Sequence, residues 1–221
     1  MPSKENYTCK ANYILPFTGK WTVFNGGADK NLSHSWGIFP QRYAYDFIIM
    51  DDEGKSFSGD NKALQSYYCY GKDIIAPADG VVVKAAGRHP DSRVNGAKAF
   101  CDTWDMRGNF IVIKHAPREY SLIAHLAPGS VTVKAGDTVK QGQIIAKCGN
   151  SGNTSEPHIH FQLQTGKSFF TSAGLPIAFS GVNAAQKVNY NLADTRNCDG
   201  NLEYVGDKVY IGRGLEVENG S

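Results

Sequence analysis

Two imidazoles stand two residues apart in Glu156-Pro157-His158-Ile159-His160-Phe161-Gln162-Leu163-Gln164. At the side-chain period of a strand, His158, His160, Gln162 and Gln164 share one face, and Ile159, Phe161 and Leu163 share the other. The apolar face suits a core, and the polar face suits chemistry. Histidines so placed point into one space, where one can hold a divalent metal while the other serves the metal-bound water. The same pattern also describes a half-buried strand whose polar face happens to carry two of the chain's 6 histidines. A two-residue motif recurs by chance, so the rest of the chain has to discriminate.

Two further stretches carry groups that matter to this choice. The run Gln41-Arg42-Tyr43-Ala44-Tyr45-Asp46-Phe47-Ile48-Ile49-Met50 reads as a strand with a carboxylate inside its apolar residues. Burying Asp46 is costly unless something pairs with it: a metal site, backbone amides or Arg42. Glu119 to Leu126 reads as a strand with Tyr120, Leu122, Ala124 and Leu126 on one face and Ser121, Ile123 and His125 on the other. A single strand histidine is ordinarily structural, so His125 gains meaning only in company. His89 falls in a long loop and His115 ends a strand, positions that read as structural or exposed.

The elements that must position these groups are short strands. The chain has 221 residues, enough to bury a core, with 24 Gly and 9 Pro scattered among Val/Ile/Tyr/Phe runs. Residues 12–25 read as two short strands, and Ile74–Ala85 as two strands about a Pro-Ala-Asp-Gly turn. Strands are expected at Asn109–His115, Glu119–Leu126 and Ser130–Lys134, then two Gly turns in Val133–Ala146 and further strands at Leu175–Phe179 and Val209–Ile211. Gly87 to Gly108 shows no periodicity and reads as a loop of functional length. The tail from Gly212 is charged and is expected to fray.

Composition excludes several classes. Charged residues make up 20% and the formal charge is +2, with no dense Lys/Arg run, which argues against nucleic acid as a partner. No apolar run approaches the roughly 20 residues that span a bilayer, and the first residues hold no signal-peptide core. Cys9, Cys69, Cys101, Cys148 and Cys198 lack Cys-x-x-Cys spacing; a bridge such as Cys69 to Cys101 is one option among several.

Taken in order, Ile75-Ala76-Pro77-Ala78-Asp79-Gly80-Val81-Val82, Gly108-Asn109, His125-Leu126, Val133-x-x-Gly136-Asp137-x-Val139-x-x-Gly142-Gln143, and Gly149-Asn150-Ser151-Gly152 leading to Pro157-His158-Ile159-His160-Phe161 resemble the lysostaphin-type, or LytM-like, zinc endopeptidases. The likeness runs from about Asp46 to Gln164. It implies an all-β, mostly antiparallel barrel-sandwich of the duplicated hybrid motif kind, with long loops forming a groove. It also implies cleavage of peptide bonds in the stem or cross-bridge peptides of peptidoglycan, with one zinc per chain, outside the cell or in its envelope.

By that resemblance Asp46 and His160 are metal ligands, and His125 and His158 orient the metal-bound water and stabilise the oxyanion. The family usually has His four residues before the Asp, where this chain has Arg42. His34 can serve as the third ligand if Ser35 to Arg42 loops out, for which Gly37 and Pro40 are suited. Otherwise Arg42 pairs with Asp46, leaving a metal-free member that binds wall peptide or regulates another hydrolase. A lipoyl- or biotinyl-like carrier, suggested by the Gly-Asp-x-Val-x-x-Gly-Gln turns, lacks a recognisable attachment lysine. Trp36, Tyr67 and Trp104 are the candidate groove residues, with Arg107 and Tyr68 beside them; the same side chains also suit plugging the loops to the barrel. The chain is expected to form a single domain over 1–221, its core about 12–165 and its strands and tail of 166–221 packed on that core. Oligomeric state has no readable code.

Overall fold

The computed structural model describes residues 2–94, 100–101, 104–196 and 202–220. Ten strands form its main sheet: β1 (Trp21–Asn25), β2 (Tyr45–Ile48), β3 (Gly80–Ala86), β4 (Asn109–Ala116), β5 (Glu119–Leu126), β6 (Thr138–Val139), β7 (Ile159–Gln164), β8 (Gly174–Leu175), β9 (Val182–Gln186) and β10 (Leu215–Asn219). The spatial order is β9-β10-β1-β2-β7-β5-β4-β3-β6, with β8 also paired to β7. Every pairing in it is antiparallel. The first and last strands of that order are edges, so the sheet is open and sandwich-like instead of closing into a barrel. Helix is nearly absent: among the described residues the only α-helix is Tyr190–Ala193, and no helix is long and apolar enough to cross a membrane.

Alternation in the strands decides what faces what. Tyr45, Phe47, Ile111, Ile113, Ile123, Ile159, Phe161 and Leu163 lie wholly buried on one face of the sheet. Smaller sheets cover that face. Asp73–Ile75 pairs with Ile144–Lys147, and Phe179–Ser180 pairs with Lys208–Tyr210, which in turn pairs with Glu203–Val205. Ile74, Ile145, Phe179 and Val209 from these sheets join one apolar cluster with the main sheet. Aromatic rings interlock within it, with Phe17 edge-on to Phe47 at 4.9 Å and Tyr45 against Phe179 at 5.7 Å. Fully burying a side chain such as Phe161 contributes about 1.5–3 kcal/mol. The opposite face carries a smaller cluster of Phe110, Val112, Leu122, Ala124 and Phe169, and beside it the histidines.

Of the two short strands expected at 12–25, the second is realised as β1, while the first is reduced to single bridges from Tyr13 to Phe179 and from Phe17 to Ile74. The segment before it is clamped by a buried carboxylate. Glu119 accepts from the Tyr7 and Tyr13 hydroxyls and from the amides of Lys10 and Ala11.

Three expectations are corrected. Ser130–Lys134 is not a strand: the Thr132 amide donates to Ile145 O at 3.0 Å, but Ser130 reaches Lys147 only through its hydroxyl, so no ladder forms. The tail does not fray: β10 pairs with both β1 and β9 and buries Leu215 and Val217. Cys69 is a buried free thiol that donates to Pro157 O at 3.1 Å, so the Cys69 to Cys101 bridge does not form. Cys198 lies outside the described residues, as do 95–99 and 102–103 of the long loop. Described parts of that loop bridge Asp91 to Ser151 and pair Phe100–Cys101 with Asn153–Thr154.

Candidate metal and catalytic site

Strand register builds the centre of the site. His160 on β7 stands directly opposite Asp46 on β2 and Ala124 on β5, so the side chains at these positions share the face away from the main core. His160 Nδ1 is 3.0 Å from Asp46 Oδ1. On the other oxygen, His34 Nε2 lies 3.4 Å from Oδ2, and Asn25 Nδ2 donates to it at 3.3 Å.

His34 arrives by the loop-out that the sequence suggests. Ser35 Oγ donates to Gln41 O at 2.8 Å, the Ile38 amide donates to Ser35 O, and Phe39–Gln41 with its Pro40 makes one 3-10 turn. That closed loop brings His34 to Asp46 across the intervening residues. Arg42 turns elsewhere, its Nε donating to Trp36 O at 3.1 Å and its guanidinium 5.0 Å from the Trp36 ring. The pairing of Arg42 with Asp46 is therefore replaced by histidines.

His125 and His158 complete the group. Their ring centroids are 4.6 Å apart, and His125 is 5.9 Å from His160. Simple alternation would put His125 on the core face with Ile123. The backbone at His125 is left-handed, φ 64°, and this swings its ring to the cleft side. The kink is held by His125 N donating to Arg107 O and by the Gly149 amide donating to His125 O at 3.0 Å. Gly149 has to be glycine here, since a Cβ would lie 2.4 Å from the Ala127 backbone.

Hydrogen-bond partners fix the tautomers. His125 Nδ1 meets Ser151 O at 2.7 Å and His158 Nδ1 meets Glu156 O at 2.8 Å. A carbonyl only accepts, so both Nδ1 atoms carry hydrogen, and in the neutral rings Nε2 holds the lone pair. His158 Nε2 lies 3.8 Å from Asp46 Oδ1. His160 donates from both nitrogens, Nδ1 to Asp46 and Nε2 to Gln162 Oε1 at 2.9 Å. The orientation of Gln162 is set by its amide nitrogen donating to Pro40 O and Gln164 Oε1. Gln162 and Gln164 thus act as a relay that fixes the ring of His160.

Electrostatics follow from this packing. Burial opposes the charge of Asp46, but His34, His160 and His158 around it outweigh burial and hold its carboxyl far below the usual range. Burial likewise opposes a charged His160, and the bond to Asp46 overcomes it, so its pKa is raised. His125 is pushed well below its ordinary value by burial and then by the neighbouring His158 and His160. The packing therefore pushes the two imidazoles in opposite directions, His160 towards holding its proton and His125 towards losing it.

A cavity of about 320 Å³ opens over these groups, walled by His34, Asp46, His125, His158 and His160 with Met106, Arg107, Thr154 and Phe169. Trp36 and Trp104 are not among its walls. Trp36 packs edge-on against Tyr43 and beneath Arg42, and Trp104, 89% exposed, sits by His89 at the end of the long loop. Tyr67 lines a neighbouring cavity and not this one. His89 and His115 stand apart, and His115 bonds Asp79 O and Ser121 Oγ as a structural residue. Arg107, a groove candidate from sequence, does line this cavity, whereas Phe169 escapes a reading of the sequence. The Arg107 guanidinium lies 3.8 Å over Phe110 and pairs with Asp105 at 2.7 Å, while Phe169 closes the wall from a loop without periodicity.

Residues 60–171 match Peptidase family M23. The chain belongs to this family. The match takes in His125, His158 and His160 and begins after His34 and Asp46, which the structure places beside them. An uncharacterized metalloprotease of Haemophilus influenzae is 31% identical over 132 residues, 59% of this chain and 24% of that protein. Murein hydrolase activator NlpD of Salmonella dublin is 33% identical over 137 residues, 62% of this chain and 31% of that protein. Peptidoglycan DD-endopeptidase ShyA of Vibrio cholerae is 31% identical over 93 residues, 42% of this chain and 17% of that protein. The M23 chain thus spans about a third or less of the length of these curated relatives. Among the described residues no three His, Cys, Asp or Glu side chains stand as a ready-made metal cage. His34, Asp46 and His160 pair with one another, the two imidazoles on separate oxygens of one carboxylate.

Proposed function

We propose that this M23 chain is a zinc endopeptidase that hydrolyses peptide bonds in the stem or cross-bridge peptides of peptidoglycan, in the cell envelope or outside the cell. The observation that carries the reading is the convergence of His34 and His160 on the two oxygens of Asp46, with His125 and His158 against them. Two imidazoles and a carboxylate are a donor set that zinc accepts, and three protein ligands leave a position open. His34, Asp46 and His160 would hold one zinc per chain, with the His160 Nδ1 proton that faces Asp46 released. Zinc so held supplies an acidified water and polarises the scissile carbonyl.

The chain's own residues do the rest. Gln162 keeps a proton on Nε2 of His160, so that Nδ1 is the nitrogen turned to Asp46. His125, neutral through burial and with hydrogen on Nδ1, presents the Nε2 lone pair as a general base. His158, anchored through Nδ1 to Glu156 O, is placed to donate to the developing oxyanion when protonated. We also read residues 1–221 as one folding unit, the core of about 12–165 carrying 166–221; an apolar cluster drawn from Cys9 through Val217 supports this.

A second reading is an activator of another hydrolase, favoured by the likeness to the murein hydrolase activator NlpD. Incubating the zinc-loaded chain with peptidoglycan fragments and identifying new peptide termini by mass spectrometry separates the two. The expected result is new termini with the wild-type chain and none with His160→Ala. Intact fragments with zinc-loaded wild type would overturn the peptidase reading and leave the activator.

A further inference from the structure

A second cavity, of about 420 Å³, adjoins the histidine cleft, and Ser155 lines both. Its walls are largely apolar, with Phe24, Ile48, Met50, Phe57 and Tyr67, and one carboxylate, Glu156, lines it among them. Glu156 Oε2 accepts from Ser56 Oγ at 2.9 Å, and Oε1 has no donor among the described residues. Burial lifts this carboxyl above its ordinary range, with the Ser56 bond and His158 opposing. Lys55 also lines the cavity, but its ammonium is matched by Glu53 at 2.7 Å. The backbone carbonyl of Glu156 meanwhile receives His158 Nδ1, so one short segment sets both the imidazole and the carboxylate.

An apolar chamber with a single carboxylate in its wall and a vacant acceptor on it suits a flexible aliphatic stem that carries an ammonium group. We propose that this cavity is the side-chain subsite for a basic diamino-acid residue of the substrate peptide, with Glu156 as the residue that reads its ammonium. The inference rests on the peptidase reading above, and it narrows the substrate to peptides with a free side-chain amine near the scissile bond. Ser155 marks the junction through which the stem passes from the histidine cleft.

The test uses the full zinc-loaded chain and pairs of peptides that differ only in lysine against norleucine, placed in turn on each side of the cleaved bond. Wild type is expected to favour lysine in kcat/KM by about 10- to 100-fold, the scale of a hydrogen bond to a charged group. Glu156→Gln, which keeps the shape and the acceptor for Ser56, is expected to bring that ratio near one while melting no lower than wild type at neutral pH. Equal cleavage of both peptides by wild type, or a preference that survives in Glu156→Gln, would overturn the subsite. Cleavage of neither peptide would count against the peptidase reading, and the subsite would then be judged by calorimetric binding of the same pairs. Tighter lysine-peptide binding that Glu156→Gln abolishes would uphold it; equal binding would overturn it.

Discussion

Replacing Gln162 by leucine probes the relay behind His160 without touching any of the proposed metal donors. If His160 Nδ1 takes the proposed zinc, the one remaining imidazole proton must sit on Nε2, and Gln162 Oε1 at 2.9 Å is its acceptor. The site is buried, His160 being 6% exposed, so water does not replace that acceptor. A buried donor left without a partner costs about 1–3 kcal/mol. At about 1.4 kcal/mol per tenfold, the expected weakening of zinc affinity is roughly 5- to 140-fold, which overlaps the 10- to 100-fold typical of such supporting residues. Competition against a fluorescent chelator measures it, with wild type, Gln162→Leu and Gln164→Leu side by side. Gln164→Leu removes the outer link of the relay and leaves the acceptor of His160, so its loss should be smaller. Equal zinc affinity in wild type and Gln162→Leu, with both folded, would refute the reasoning; equal losses in the two variants would show disruption of β7 and not the relay.

Two further outcomes follow from packing and charge. Glu156 has a folded pKa above its ordinary value of 4.5, so the stability linked to it is full below that value and is lost as pH rises through the folded pKa. Glu156→Gln removes this loss, and its melting temperature relative to wild type should climb from pH 4 to pH 7; a constant difference would contradict the buried carboxyl. Gly149→Ala drives a Cβ to 2.4 Å from the Ala127 backbone and should cost at least about 1–3 kcal/mol in urea unfolding while shifting the His125 ring resonances, through the bond to His125 O. An unchanged midpoint would show that the close approach relaxes freely.

Much of the fold and the central strand were legible because period-two alternation is a local property. His158 to Gln164 revealed both of its faces, and Asp46 stood out as a carboxylate among apolar residues. That Asp46 and His160 are direct cross-strand neighbours depends on register, which no single strand encodes. The face of His125 was misjudged because a left-handed residue breaks alternation, and nothing in Ile-Ala-His-Leu announces one. Trp36 and Trp104 do not line the histidine cleft, since loop aromatics carry no directional signal in sequence, and Phe169 was missed for the same reason. The last strand was detectable: Leu215 and Val217 alternate with Glu216 and Glu218, a half-buried pattern hidden by the attention its charges attract.

The left-handed backbone at His125 makes that position answer to two separate demands. One is for an imidazole; the other is for a side chain that tolerates positive φ, a short set headed by glycine, asparagine and aspartate. A lineage that abandoned the chemistry would be released from the first demand and not from the second. Drift at this site should therefore end in Asn or Gly, seldom in Ala or Val, so that a lost function would still be written there in the shape of the chain. For the same reason His125→Asn removes chemistry alone, whereas His125→Val removes chemistry and conformation together.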